Sequence, residues 1–222
     1  ERVDMIQFQD ESFFSVPTRT IEEFAEWYGS EIKLPFMVQV RPETVNRRKV
    51  ELLASIGVPV QMSVGVESGS ARVLKDICNR KTRVKALHEA FAIIKDHAVR
   101  TTGYTMIGFP TETRELARET IELNRHIESD SQNLNAFVPF HGTPLRKMAE
   151  ELNLVKSGEI TKCLTDSPMM DMPQFSAKAI AGLIKCFVLY VKFPKNRWKY
   201  IQQAEEETPE GQKIYEELKE EY

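Results

Sequence analysis

The stretch Val60-Gln-Met-Ser-Val-Gly-Val-Glu-Ser-Gly-Ser70 decides the fold of this chain, because a short apolar run leads directly into a glycine and serine turn. Such a run, bounded by turn residues, predicts a β-strand. Four further runs of this kind occur at residues 5–8, 37–40, 102–109 and 133–140. Segments with apolar residues at helical spacing separate them. This alternation predicts repeated βα units.

The helical segments are long enough to cross over between parallel strands, and right-handed crossovers place successive strands side by side. The first of them follows a capping box from Thr20 to Glu23, and the others cover about 50–54, 84–94 and 116–127. The sequence therefore predicts an α/β fold, either a partial parallel (β/α) barrel or an open sheet with its active face at the strand carboxyl ends. We assign residues 1–150 to this barrel and residues 151–222 to a C-terminal helical extension.

Composition limits the class of protein. The chain has 222 residues, 41% hydrophobic and 28% charged, which is enough for a substantial core. The net charge is −3 with both signs spread along the chain, so we expect no basic stripe for nucleic acid. No run of about 18 apolar residues and no signal peptide is visible, so we expect a soluble cytoplasmic protein without a membrane partner.

Three cysteines occur, Cys78, Cys163 and Cys186, and they are far apart in the sequence. An odd number at such spacing is typical of reduced thiols rather than of a disulfide framework. None of them begins a metal-ligand pattern, so we assign no metal ligand within the chain.

Polar and glycine residues follow every predicted strand, where parallel βα folds gather ligand-binding groups. Two of these strand ends, Gly65-Val-Glu-Ser-Gly-Ser70 and Met106-Ile-Gly-Phe-Pro-Thr-Glu112, resemble in this order those of radical S-adenosylmethionine (SAM) enzymes. The resemblance extends to residues 8–13, 38–42 and 137–145, which together span about the first two thirds of the chain. It is strongest to the subgroup that often carries an amino-terminal cobalamin-binding domain.

The resemblance implies a six-unit partial barrel, of which five units are present here. In that family a [4Fe-4S] cluster, held by a three-cysteine CxxxCxxC motif, reductively cleaves SAM to a 5'-deoxyadenosyl radical. The chain lacks that motif. We therefore expect a fragment of a radical SAM enzyme that is inactive without the cluster segment. Its parent protein would use a reductant such as flavodoxin or ferredoxin, and cobalamin is a further candidate cofactor.

Acidic and hydroxyl side chains at two strand ends match SAM-binding positions of the family. Asp10 and Glu11 match the acidic pair that contacts the SAM amino group, where carboxylates suit an ammonium. Glu67 and Ser68 match positions near the ribose and methionyl ends. The alternatives are that the acids cap a loop and that Ser68 caps an ordinary strand-to-helix turn.

Basic, apolar and histidine positions complete the candidate site. Arg41 and Arg80 are candidates for the SAM carboxylate, with Arg80 slightly favoured because relatives place a basic residue there. Ile107 and Gly108 match the strand that contacts adenine. His141 is a candidate catalytic acid or base, and the alternative is that it only positions a turn.

Two other functions stay open at this point. The turn at residues 68–70 suits a phosphate at a helix amino terminus of some other α/β-barrel enzyme, and the fold also serves a non-catalytic interaction module.

Glu112 is predicted to complete a turn at the start of a helix. The sequence does not identify the substrate, small molecule or macromolecule. An uncovered apolar edge at residues 5–8 predicts an edge-mediated dimer of the fragment.

Overall fold

A computed structural model of the chain describes residues 2–163 and 167–222. Its strands are β1 Ile6–Gln7, β2 Phe36–Val40, β3 Val60–Glu67, β4 Arg100–Ile107 and β5 Ser131–Ala136. Its α-helices are α1 Thr18–Glu31, α2 Arg47–Ala54, α3 Val84–Lys95, α4 Arg114–Ile127, α5 Pro144–Glu151, α6 Ala177–Lys192, α7 Trp198–Ala204 and α8 Pro209–Glu221. Short 3-10 turns cover Phe13–Ser15, Pro42–Thr44 and Lys195–Arg197, and a π-helix covers Val73–Ile77.

The five strands form one sheet in sequence order, β1-β2-β3-β4-β5. β1 pairs in parallel with β2, and β2 pairs in parallel with β3, so that Ile6 lies opposite Phe36 and Phe36 lies opposite Val60. At least one α-helix follows each strand along the chain. This order confirms the predicted fold class, a partial parallel (β/α) barrel of five units with a C-terminal helical extension.

The chain divides into two compact units. The first unit comprises Glu1–Val66, Thr82–Tyr104 and His126–Asn133, and the second comprises Glu67–Lys81, Thr105–Arg125 and Leu134–Tyr222. The carboxyl-terminal residues of β3, β4 and β5 therefore belong to the second unit. The predicted boundary at residue 150 stays a prediction.

The first unit has an aromatic core built around α1 and the first two strands. The Tyr28 and Phe36 ring centroids lie 4.8 Å apart, and Phe24 contacts Tyr28 at 5.2 Å. The predicted capping box at Thr20 was wrong, because Pro17 is the N-cap residue and α1 starts at Thr18. Proline fixes its own φ and favours this start.

β1 is the edge strand in this order, and it has two residues rather than the four predicted. Met5, which precedes it, is 52% exposed. An exposed apolar edge favours pairing with another chain. Edge-mediated dimerisation therefore stays a prediction. The short β1 offers fewer backbone groups for pairing than the predicted four-residue strand would.

The second unit has a core in which α6 is buried along most of its length, including Leu183, Phe187 and Tyr190. This core contains a hydrogen-bonded group of three polar side chains, Arg114, Tyr190 and Glu205. Arg114 and Tyr190 both donate to Glu205 Oε1, and the phenol oxygen of Tyr190 lies 2.5 Å away. Burial and the carboxylate raise the pKa of Tyr190.

Within residues 2–163 and 167–222, no helix is both long and apolar enough to cross a membrane.

Candidate active site

The end of β3 carries an ion pair between Glu67 and Arg80. Glu67 is the last residue of the strand and has φ +61°, a left-handed conformation that is uncommon for a residue with a side chain. Arg80 Nη2 donates to Glu67 Oε1 at 2.7 Å. The two side chains are 30% and 17% exposed, so this pair is more shielded from water than the surface pairs of the chain. Non-glycine residues in such conformations cluster at ligand-binding sites.

A π-helix brings Arg80 back to this strand end. The Cys78 N–H donates to the Val73 carbonyl at 2.9 Å, five residues earlier, and the Arg80 N–H donates to the Leu74 carbonyl at 2.7 Å. Asn79 between them has φ +49°, which reverses the chain. The side chains of Val73 and Leu74 are buried and anchor the turn to the protein interior. π-helices are rare and are frequent at functional sites.

The turn after Glu67 is held by hydrogen bonds to Thr120 and within the turn itself. Ser68 and Ser70 are fully buried, and Ser68 Oγ lies 3.1 Å from Thr120 Oγ1. The Gly69 N–H donates to Thr120 Oγ1 at 2.9 Å, and the Ser70 N–H donates to Ser68 Oγ at 3.1 Å. The backbone N–H donors of Gly69 and Ser70 are thus already used, whereas the Ser70 hydroxyl has no hydrogen-bond partner among the described residues. The Ser68 hydroxyl holds the turn against α4.

The end of β4 combines an apolar strand residue with bare backbone. Ile107 is fully buried, and Gly108 follows with φ +84°. A Cβ at Gly108 would lie 3.1 Å from Ile180 Cδ1, so glycine suits both the conformation and the space. Ile180 thus packs over Gly108, and Ile107 is buried, so the predicted contact with adenine stays a prediction.

Glu112 completes the turn after β4, as predicted, but it does so from a buried position. Its Oε2 accepts the N–H groups of Gly108 at 2.5 Å and Phe109 at 3.0 Å. Burial raises the pKa of Glu112 from 4.5 to about 7, and the two N–H donors oppose that rise. Within the described residues, Glu112 Oε1 has no hydrogen-bond partner.

The acidic and basic candidates of the first unit lie after β1 and β2. Glu11 and Arg41 form an ion pair, and their side chains are 86% and 46% exposed. Asp10, the neighbour of Glu11, is also exposed. Exposed pairs contribute little to stability and rearrange easily. The structure thus brings Glu11 and Arg41 together and leaves both side chains accessible to a ligand.

His141 lies in the loop before α5 and is exposed. It lines a cavity of about 580 Å³ with residues that include Arg146 and Lys147. Arg146 is buried and donates to the carbonyls of Lys156 and Glu159, both at 2.9 Å, so it holds the loop that follows α5. The catalytic assignment of His141 stays a prediction.

The cysteines do not form a cluster site. Burial, with the nearby Glu67 charge, raises the pKa of the Cys78 thiol to about 12, and burial raises that of Cys186 to about 12. A thiol with so high a pKa stays protonated and is a poor metal ligand. Among the residues with described positions, no three His, Cys, Asp or Glu side chains gather as a metal site. The residues of this chain whose positions are described therefore do not fit a [4Fe-4S] cluster.

Comparison with known proteins identifies relatives of the chain. The family model described as the radical SAM superfamily matches residues 15–123, about half of the chain. An uncharacterized methyltransferase of Pyrococcus horikoshii is 26% identical over 191 residues, which cover 86% of this chain and 41% of that protein. A tRNA-2-methylthio-N(6)-dimethylallyladenosine synthase of Geobacillus kaustophilus is 33% identical over 129 residues, 56% of this chain and 24% of that protein.

A solved structure has the same fold. The cobalamin-dependent S-adenosylmethionine radical enzyme OxsB, solved with aqua-cobalamin bound, superposes with a TM-score of 0.60 at 13% identity. The match covers 98% of this chain and 38% of that one. The chain therefore spans less than half the length of each of these proteins.

Proposed function

We propose that the complete protein is a radical SAM enzyme, since that superfamily's model matches residues 15–123 of the chain, and that it cleaves SAM reductively to a 5'-deoxyadenosyl radical. The observation that carries this proposal within the chain is the Glu67–Arg80 pair at the end of β3. The amino-acid end of SAM presents an ammonium and a carboxylate. The Arg80 guanidinium of this partly buried pair is a complementary partner for the carboxylate, and Asp10 and Glu11 are the candidates for the ammonium.

The residues of the second unit would hold SAM in three ways. Arg80 would bind the SAM carboxylate, since its guanidinium matches a carboxylate with two parallel donors. Glu67 would accept hydrogen bonds from the ribose hydroxyls or the methionyl end. Ile107 and Gly108 would contact adenine once Ile180, which packs against Gly108, has moved aside. Ser68 would act indirectly, because its hydroxyl already contacts Thr120.

The residues of the first unit would act on the amino group of SAM. Asp10 and Glu11 are exposed carboxylates after β1. Binding of an ammonium would replace the Arg41 guanidinium as the partner of Glu11. Arg41 would then be available for the SAM carboxylate or for substrate.

A bound [4Fe-4S] cluster supplies the electron for SAM cleavage in this superfamily. Since the cysteines of this chain do not fit it, its ligands would come from residues outside these 222. Cobalamin is a second candidate cofactor, supported by the fold shared with OxsB. A flavodoxin or ferredoxin would supply electrons, and we place the protein in the cytoplasm.

The names of two relatives favour transfer of a methyl or methylthio group, with an RNA base among the candidate substrates. The phosphate-binding alternative is not favoured, because the Gly69 and Ser70 N–H groups donate within the protein. A non-catalytic module is not favoured either, since the superfamily relatives named above as synthase and methyltransferase are enzymes.

The test uses the complete protein, reconstituted anaerobically with iron and sulfide, and measures SAM affinity and 5'-deoxyadenosine formation. We expect 5'-deoxyadenosine that disappears when the cluster-motif cysteines are replaced. Arg80→Met should weaken SAM binding by roughly 10- to 100-fold, the range expected for a lost charge-assisted hydrogen bond. Arg118→Met, an exposed change on α4, serves as the matched control.

Two results would count against the proposal. A well-folded, cluster-loaded protein that forms no 5'-deoxyadenosine would refute SAM cleavage. Equal SAM affinity in the Arg80→Met and Arg118→Met variants would refute the role of the Glu67–Arg80 pair and leave the cleavage reaction standing.

A further inference from the structure

Residues 72–83, called here the basic segment, concentrate positive charge next to the end of β3. The segment contains five cations and one acid, Asp76, although the net charge of the chain is −3. The cations are Arg72, Lys75, Arg80, Lys81 and Arg83. Arg80 binds Glu67, which fixes the segment beside the candidate SAM site.

The other four cations have no ion-pair partner within the described residues. Arg72, Lys75, Lys81 and Arg83 are all exposed. Most lysines and arginines elsewhere in the described part of the chain do have a carboxylate within 4.0 Å, as Arg47 has in Asp96. Free positive charge is thus concentrated here, which the even spread of charged residues in the sequence did not indicate.

The backbone of the segment is ordered by buried apolar residues. Val73, Leu74 and Ile77 pack into the protein. Arg72, which precedes them, and Lys75, which lies between Leu74 and Ile77, are exposed. Thr82 Oγ1 donates to Glu43 Oε2 at 3.0 Å, so the acids beside the segment include Glu43 and Glu67 as well as its own Asp76. The backbone that carries these cations is therefore anchored by buried side chains.

We propose that the basic segment binds the phosphate backbone of an RNA substrate and holds it beside the end of β3. This inference rests on the proposed function, since it names the substrate class of the same site. Four free cations within twelve residues suit a ligand with repeated phosphates better than one with a single anionic group. A membrane surface is disfavoured, because membrane-binding helices expose apolar residues and those of this segment are buried.

The experiment measures binding of a fluorescein-labelled RNA stem-loop to the complete protein by fluorescence anisotropy over a KCl series. The test variant replaces all four free cations with glutamine. Its matched control replaces four exposed lysines elsewhere that have no ion pair among the described residues, namely Lys33, Lys162, Lys192 and Lys199. The two variants lose the same charge. A second variant, Lys75→Gln with Lys81→Gln, tests the segment with a smaller change.

We expect the fourfold variant to bind RNA at least tenfold more weakly than the control, and the double variant to lie between. The slope of log affinity against log salt should fall by about 2 to 3, at roughly 0.7 for each lost phosphate contact. Equal affinity of test and control variants would overturn the inference. Anionic vesicles and polyglutamate serve as further probes. The inference would also be overturned if the fourfold variant bound RNA as the control does but no longer bound either of these probes.

These results are independent of SAM cleavage, because RNA binding requires neither cluster nor SAM. Loss of 5'-deoxyadenosine formation with intact, segment-dependent RNA binding would refute the proposed function alone. SAM cleavage with RNA binding that ignores the segment would refute this inference alone.

Discussion

Glu112 gives the sharpest physical prediction, because a fully buried carboxyl group links stability to pH. Its folded pKa is raised from 4.5 to about 7. The folded state therefore keeps a proton that the unfolded state releases between these values. The stabilisation is fully present below pH 4.5 and is lost as pH rises through 7. At about 1.4 kcal/mol per pKa unit, the free energy of unfolding should fall by about 3 kcal/mol over this window.

The variant Glu112→Gln isolates this effect. Its amide oxygen can accept the same two backbone N–H groups, and it does not ionise. We expect the variant to match the wild type near pH 4.5 and to exceed it by up to about 3 kcal/mol above pH 7. Urea unfolding at several pH values from 4.5 to 8 measures the difference, and Glu119→Gln, an exposed change on α4, is the control. A constant difference between wild type and Glu112→Gln across this range would refute the argument.

Two further predictions concern the second unit. Gly69→Ala should destabilise the chain by about 1–3 kcal/mol, because its Cβ would lie 2.5 Å from the Glu119 carbonyl oxygen and 2.6 Å from Thr120 Cα; an unchanged melting temperature would contradict this close approach. Tyr190→Phe should cost about 1.5–3 kcal/mol in urea unfolding, because it removes the hydroxyl that donates to the buried Glu205 carboxylate. A neutral result would show that another donor replaces it.

Much of the sheet could be predicted because its apolar runs are distinctive. The apolar run that begins at Val60 was predicted as a strand, and β3 covers Val60–Glu67. β5 was placed too far along the chain, since the buried run after Ala136 contains Pro139, which has no N–H to donate to a neighbouring strand. α5 was missed, although Thr143 as N-cap and Pro144 at the first position are its sequence signals.

The candidate site could be predicted only as a set of strand-end residues. The contact of Glu67 with Arg80 depends on the π-helix and on the left-handed Asn79, and neither follows from hydrophobic periodicity. The free cations of the basic segment were hidden for a related reason. Sequence shows how many charges a segment carries, whereas ion pairing depends on which acids lie nearby in space.

The π-helix at Val73–Ile77 also constrains how this chain can vary in length. A π-turn closes its hydrogen bonds over five residues where an α-turn closes over four, so this turn holds one residue more than a regular helix would. Loss of that residue would restore α-helical phase and rotate everything after it about the helix axis. A homologue with a regular helix here would therefore present a different side chain to the end of β3, and aligned arginines would not be equivalent positions.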